Sequence, residues 1–134
     1  MVNNKVVIRE IFTLKTIAVV GMSPNPERPS HYVSLYMSQN GYDIIPVNPG
    51  HNSIMGKASH SSLLDIKEKI DIVNIFRRSE YVLPIINDAV SIKAKAVWLQ
   101  DGVTSEEGEK IAKENEMLFI MNDCLLRRHK QYNG

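Results

Sequence analysis

Residues 16–30 read TIAVVGMSPNPERPS, and their order decides the fold. A β-branched apolar run ends in Gly21. A loop follows through Met22, Ser23 and Pro24 to Arg28 and Pro29, and helix-forming residues begin at Ser30. A strand feeding a glycine turn and then a helix start is how α/β nucleotide folds hold phosphate, because the turn amides and the open helix end both present N–H groups.

Outward from that stretch, apolar runs recur as five short strand-like segments at residues 16–20, 42–47, 71–76, 94–99 and 117–121. Their hydrophobicity is continuous rather than alternating, as in IAVV, KAVWL and LFIM. That suits parallel strands covered on both faces. Helical patterns lie between them. Val33, Tyr36 and Met37 recur at helical spacing after Ser30, a candidate N-cap, and Asn40-Gly41 offers residues that tolerate a left-handed C-terminal turn. Thr104 and Glu107 have the capping-box spacing, ahead of Ile111 and Ala112, although Gly108 weakens that helix. Residues 79–94 carry an apolar stripe interrupted by Pro84, which predicts an irregular first turn. Shorter helices are expected at 6–14, 61–69 and 125–129. The alternation predicts an α/β fold: a doubly wound, Rossmann-like parallel sheet of five strands with helices on both faces, in the order 3-2-1-4-5.

Ligands of such sheets bind beyond the carboxyl ends of the strands. Those positions carry Gly21, Ser23, Pro24, Arg28 and Ser30 after the first strand, Asn48 and Pro49 after the second, and Arg77 and Arg78 after the third. Gln100 and Gly102 follow the fourth, and Asn122 and Cys124 the fifth. Three arginines on one rim make it locally positive, and the guanidinium fork suits phosphate. A phosphate-bearing ligand is the expectation.

The loop disfavours the commonest such ligand. A dinucleotide fingerprint reads G-x-G-x-x-G, whereas Ser23 stands where the second glycine would be. Asn48, not an acidic residue, ends the second strand. No G-x-x-x-x-G-K-[ST] run marks a triphosphate P-loop.

Composition sets outer limits. The 134 residues suit one domain, 1–134, with 43% hydrophobic content. Sixteen Lys plus Arg against fifteen Asp plus Glu leave a net charge of +1, so no global field draws the chain to nucleic acid or to an anionic membrane. No apolar run approaches the ~18 residues of a membrane span. A single cysteine, Cys124, excludes an internal disulfide and fits a cytoplasmic location.

The run VVGMSPNPERPSHYVSLYMSQNGYDIIPVNPG at 19–50, then FRRSE at 76–80, AVWLQDGV at 96–103 and a cysteine near the end resemble the small CoA-binding proteins of the YccU-like family. That family is itself similar to the CoA-binding Rossmann domain of the succinyl-CoA synthetase alpha subunit. The resemblance spans roughly residues 16–129 and implies a cytoplasmic binder of coenzyme A or acyl-CoA. Carried over by residue, the glycine-serine loop falls on Gly21, Met22, Ser23 and Pro24 with the Arg28-Pro29-Ser30 corner. The V-N-P segment is Val47, Asn48 and Pro49, the F-R-R segment is Phe76, Arg77 and Arg78, and the W-x-Q-x-G segment is Trp98, Gln100 and Gly102. The resemblance implies diphosphate on the Gly21–Ser23 amides and the helix start, with Arg28 neutralising it. Adenine would lie against Val47 and Pro49, the ribose 3'-phosphate at Arg77 or Arg78, and the pantetheine arm along Gln100. The family's D-R-C and final acidic-His pattern is altered here to Asn122-Asp123-Cys124 and Arg127-Arg128-His129.

No catalytic or metal-ligating residue is assigned. His31, His51, His60 and His129 lack paired ligand spacing. The synthetase's phosphoryl chemistry uses a histidine in another domain and an ATP-grasp partner, for which this chain is expected to have no room. A binding module is therefore the leading expectation. Two enzyme readings stay open: a thiol-redox protein acting on CoA through Cys124, or an NAD(P)-type oxidoreductase with a degenerate fingerprint.

Overall fold

A computed structural model describes residues 4–133. The chain begins with α1 (Asn4–Ile11), β1 (Thr16–Val20), α2 (Pro29–Gln39) and β2 (Asp43–Val47), followed by a small hairpin of β3 (Ser53–Ile54) and β4 (Lys57–Ala58). It continues through β5 (Ile72–Ile75), α3 (Val82–Ser91), β6 (Ala96–Leu99), α4 (Glu106–Glu114), β7 (Leu118–Ile120) and α5 (Leu125–Asn133). Short 3-10 turns at Leu63–Asp65 and Ser79–Tyr81 precede β5 and α3.

The five long strands pair in parallel as one sheet in the order β2-β1-β5-β6-β7. The α/β, doubly wound, Rossmann-like class is therefore present. The strand order is a correction: the five segments lie in the order 2-1-3-4-5, with β5 on the far side of β1 from β2, not 3-2-1-4-5. Pro46 supplies the physical reason. Asp43 N donates to Lys15 O, and Val47 O accepts from Gly21 N, so odd positions of β2 face β1 and Pro46 faces outward. A proline has no N–H for a second neighbour, so β2 belongs at an edge. Past the hairpin, His60 forms a single parallel bridge to that edge, its N donating to Pro46 O and its O accepting from Asn48 N.

Each face of the sheet buries its own core. Ala18, Val20, Val73, Ile75, Val97 and Leu99 pack with Val82, Ile86 and Ala89 of α3 and Ala112 of α4. Ile17, Val19, Ile72 and Trp98 pack on the other face with Ile8 and Ile11 of α1, Val33 and Met37 of α2 and Leu125 of α5.

Several helix ends differ from expectation. Pro29 opens α2 at its first turn with Arg28 as the flanking residue, so Ser30 lies inside the helix rather than capping it. Ser105, not Thr104, caps α4 by accepting from the Gly108 amide. Ser62 caps the short 3-10 turn within the helix expected at 61–69, accepting from Leu64 N. Pro84 falls in the first turn of α3, where its missing donor costs least, and the irregular lead-in is the 3-10 turn. Gly41, at φ +94°, closes α2 with Tyr42 N donating to Met37 O, as Asn40-Gly41 predicted.

Candidate functional site

The loop after β1 is held by side chains from two neighbouring elements. Gly21 adopts φ +84° and donates its amide to Val47 O at 2.9 Å. From the end of β2, Asn48 Nδ2 donates to Met22 O at 2.8 Å and Asn48 Oδ1 accepts from Gly50 N. From α2, Ser30 Oγ accepts the Ser23 amide at 2.8 Å, and His31 Nδ1 donates to Ser23 O at 2.9 Å. Ser30 and His31 are both buried, so the corner is set before any ligand arrives. These bonds correct one sequence-derived role: the Gly21 and Ser23 amides are already spent within the protein. Among the described residues nothing accepts from the Ser30 amide, which leaves it as the open donor on the wall of the hollow beside it, because Met22, whose amide is also unpaired, is buried away from the surface.

Three adjoining hollows run along the carboxyl ends of the strands. The first, about 480 Å³, lies against Val47, Asn48 and Pro49, with Gly21 and Arg77 on its wall. A second of about 320 Å³ is lined by Gly21, Ser23, Arg28, Pro29, Ser30 and Phe76. A third of about 380 Å³ is lined by Pro29, Phe76, Arg77, Arg78, Gln100 and Gly102 together with Tyr32, Val33 and Cys124. Gly21, Pro29, Phe76 and Arg77 each border two hollows, so the three form one trough. The trough gathers the expected residues except two. Met22 is fully buried in the core beside Val33 and Met37, and Pro24 stands exposed outside the lining.

All three arginines reach this rim, in different states. Arg77 lies over the Tyr81 ring at 4.9 Å, which steadies its guanidinium between the first and third hollows. Arg78 is exposed and, among the described residues, pairs with Glu80 alone at 3.9 Å, a loose surface contact. Arg28 is exposed at the mouth of the second hollow.

Beyond the third hollow, the changed C-terminal pattern builds an ion-pair network. Arg127 grips Asp101 through two bonds of 2.8 and 3.0 Å, and that hydrogen bonding holds the Asp101 carboxyl below its usual range. Buried Asp123 accepts from Arg127, from Arg128 Nε and from the Cys124 amide, and its carbonyl accepts from Trp98 Nε1 at 2.9 Å. Trp98 is thereby a core residue bonded to the start of α5. Gln100 is buried, and its Oε1 accepts from Leu125 N at 3.3 Å, which turns the amide nitrogen to the hollow.

Sequence reasoning missed Ser61, Ser62, Leu63, Ile85 and Asp88 in the first hollow, and Tyr32, Val33, Asp101 and Val103 in the third. Most lie within helices or the hairpin connection rather than at strand ends. Only the helical spacing of Ile85 and Asp88, three apart, hinted that they share a face.

The doubly wound sheet with a glycine corner and an arginine-lined rim defines a nucleotide-binding α/β domain. The comparisons narrow the class: a family model described as a CoA binding domain matches residues 15–130, and the chain belongs to that family. It is 42% identical over 127 residues to YneT of Bacillus subtilis, covering 94% of each chain. A solved structure of a Pyrococcus horikoshii protein superposes with a TM-score of 0.93 at 32% identity, covering 99% of this chain and 94% of that one. An ADP-forming acetate–CoA ligase of Archaeoglobus fulgidus is 30% identical over 116 residues. That match takes in 84% of this chain but 17% of the ligase, so the likeness concerns one part of a much larger enzyme. No helix among the described residues is long and apolar enough to cross a membrane.

Proposed function

We propose that this chain binds coenzyme A or an acyl-CoA in the trough, in the cytoplasm, as a binding module rather than a ligase. The observation that carries the reading is the chain of three hollows joined by Gly21, Pro29, Phe76 and Arg77, a shape suited to a long ligand with a base, a diphosphate and a flexible arm. Adenosine occupies the first hollow against Val47 and Pro49. The diphosphate sits in the second, accepting from the Ser30 amide at the positive end of α2, with Arg28 neutralising its charge. Arg77 takes the ribose 3'-phosphate. Pantetheine follows the third hollow past Phe76 and Gly102, where the Gln100 amide nitrogen donates to one of its carbonyls.

A calorimetric titration with CoA, dephospho-CoA and NAD tests this reading. CoA binds tightest, dephospho-CoA loses affinity, and NAD binds weakest; tighter binding of NAD overturns the assignment. Mass spectrometry of ligand released from the purified protein is the independent check.

Cys124 favours a second reading because it lines the third hollow, where the thiol of the arm would end. In that reading its thiolate attacks the disulfide of oxidised CoA, giving a Cys124–CoA mixed disulfide and releasing one CoA thiolate. Intact-mass measurement after incubation with CoA disulfide decides it: an adduct lost in Cys124→Ser supports it, and an unmodified wild-type chain ends it.

A further inference from the structure

We infer that Asp88 reads the base of the bound nucleotide, selecting a heterocycle that presents an exocyclic amino group. The inference rests on the CoA reading and deepens it. The first hollow has apolar walls, Val47 at the end of β2, Leu63 in the 3-10 turn and Ile85 on α3, which suit the two faces of a flat ring. Its polar lining comprises Asn48 and Arg77, Asp88 one helical turn beyond Ile85, and Ser61 and Ser62.

Asp88 is half-buried, and among the described residues its carboxylate has neither a hydrogen bond nor an ion pair. An ionised carboxylate only accepts hydrogen bonds. A carboxylate facing an apolar-walled hollow without an internal donor is left to water in the free protein and needs a donor from any ligand that displaces that water. The amino group of adenine provides one. A base presenting a carbonyl at the same position would set oxygen against oxygen and leave the carboxylate unpaired. Ser62 is less able to discriminate, because its hydroxyl already accepts from Leu64 N and a hydroxyl can donate as readily as accept. The first hollow thus combines shape for a ring with one acceptor-only group for its edge.

The test compares CoA with its etheno-adenine analogue, whose added ring ties up the amino nitrogen and removes the donors on that edge while leaving the phosphates and arm intact. Wild-type protein binds CoA at least about tenfold more tightly than the analogue, the loss of one hydrogen bond to a charged group. Asp88→Leu lowers affinity for CoA by about the same factor and leaves the analogue unaffected, so the preference disappears. Asp88→Asn, whose carbonyl still accepts, retains a preference for CoA and guards against a misfolded leucine variant. Equal binding of CoA and the analogue by wild-type protein overturns the role of Asp88 while leaving CoA binding standing. So does a leucine variant that weakens both ligands alike. Failure of wild-type protein to bind either ligand refutes the CoA reading and this inference together.

Discussion

A Cβ atom added to Gly21 would lie 2.8 Å from the carbonyl oxygen of Phe76 and 3.0 Å from the Arg77 Cδ. The turn after β1 therefore rests directly on the turn after β5, and the two hollows that meet there depend on the absence of a side chain.

Gly21→Ala is accordingly expected to cost about 1–3 kcal/mol, combining a left-handed φ with backbone crowding. The Phe76 carbonyl belongs to the main chain and cannot swing aside. A lowered urea midpoint with an unchanged slope is the expected result, and calorimetry is expected to show weakened CoA binding even where the variant is fully folded.

Arg77 and Arg78 are expected to behave differently despite their adjacency. Arg77→Ala weakens CoA binding about tenfold and flattens its dependence on ionic strength, because a guanidinium positioned over Tyr81 loses little freedom on meeting phosphate. Arg78→Ala, at an exposed and loosely paired position, changes affinity by less than about threefold. Titrations at two salt concentrations separate the two. Equal effects would mean that the tethering of Arg77 carries no energetic weight.

His129 makes stability pH-dependent. Its ring is buried among Phe12, Tyr36 and Tyr42, with Nδ1 sharing a 2.7 Å hydrogen bond with the Tyr36 hydroxyl, and burial pushes its pKa below the ordinary value. The unfolded chain takes up a proton near pH ~6.5, whereas the folded ring resists protonation until lower pH. The contribution of His129 is therefore fully present above that value and declines as pH falls through the window down to the lowered folded pKa. Melting temperature is expected to fall between neutral and mildly acid pH. His129→Gln is expected to flatten that slope, whatever it does to the absolute midpoint.

Gly108 sets helix propensity against packing. Alanine is a better helix former than glycine by up to about 1 kcal/mol, yet a Cβ in this first turn of α4 would overlap Ile86 Cδ1 and lie 2.9 Å from the capping Ser105 Oγ. Gly108→Ala alone is expected to destabilise the protein, because it spreads α4 from α3 and disturbs the cap. Adding Ile86→Val removes the Cδ1 methyl and is expected to recover part of the loss, so the two substitutions couple in a double-mutant cycle.

Much of the architecture was legible in the chain because continuous apolar runs such as β1 and β6 follow directly from burial on both faces. The strand order departs from the expected 3-2-1-4-5, although Pro46, whose missing donor marks β2 as an edge strand, carries the signal for it. The caps at Ser30 and Thr104 were misplaced by one or two residues. Several hydroxyl and amide side chains stood near each helix start, and only three-dimensional geometry selects the one that accepts.

The sequence by itself determined the βα alternation, the glycine corner after β1 and the arginines beyond β1 and β5, since these depend on local pattern and on the fixed direction of parallel strands. Tertiary structure decided that Ser30 and His31 consume the Ser23 backbone, that Met22 belongs to the core, and that Asp88 and Gln100 line the first and third hollows. The reason is the same in each case: a hydrogen bond or a hollow between elements distant in the chain exists only once packing fixes the distance between them, and no local sequence pattern encodes that distance.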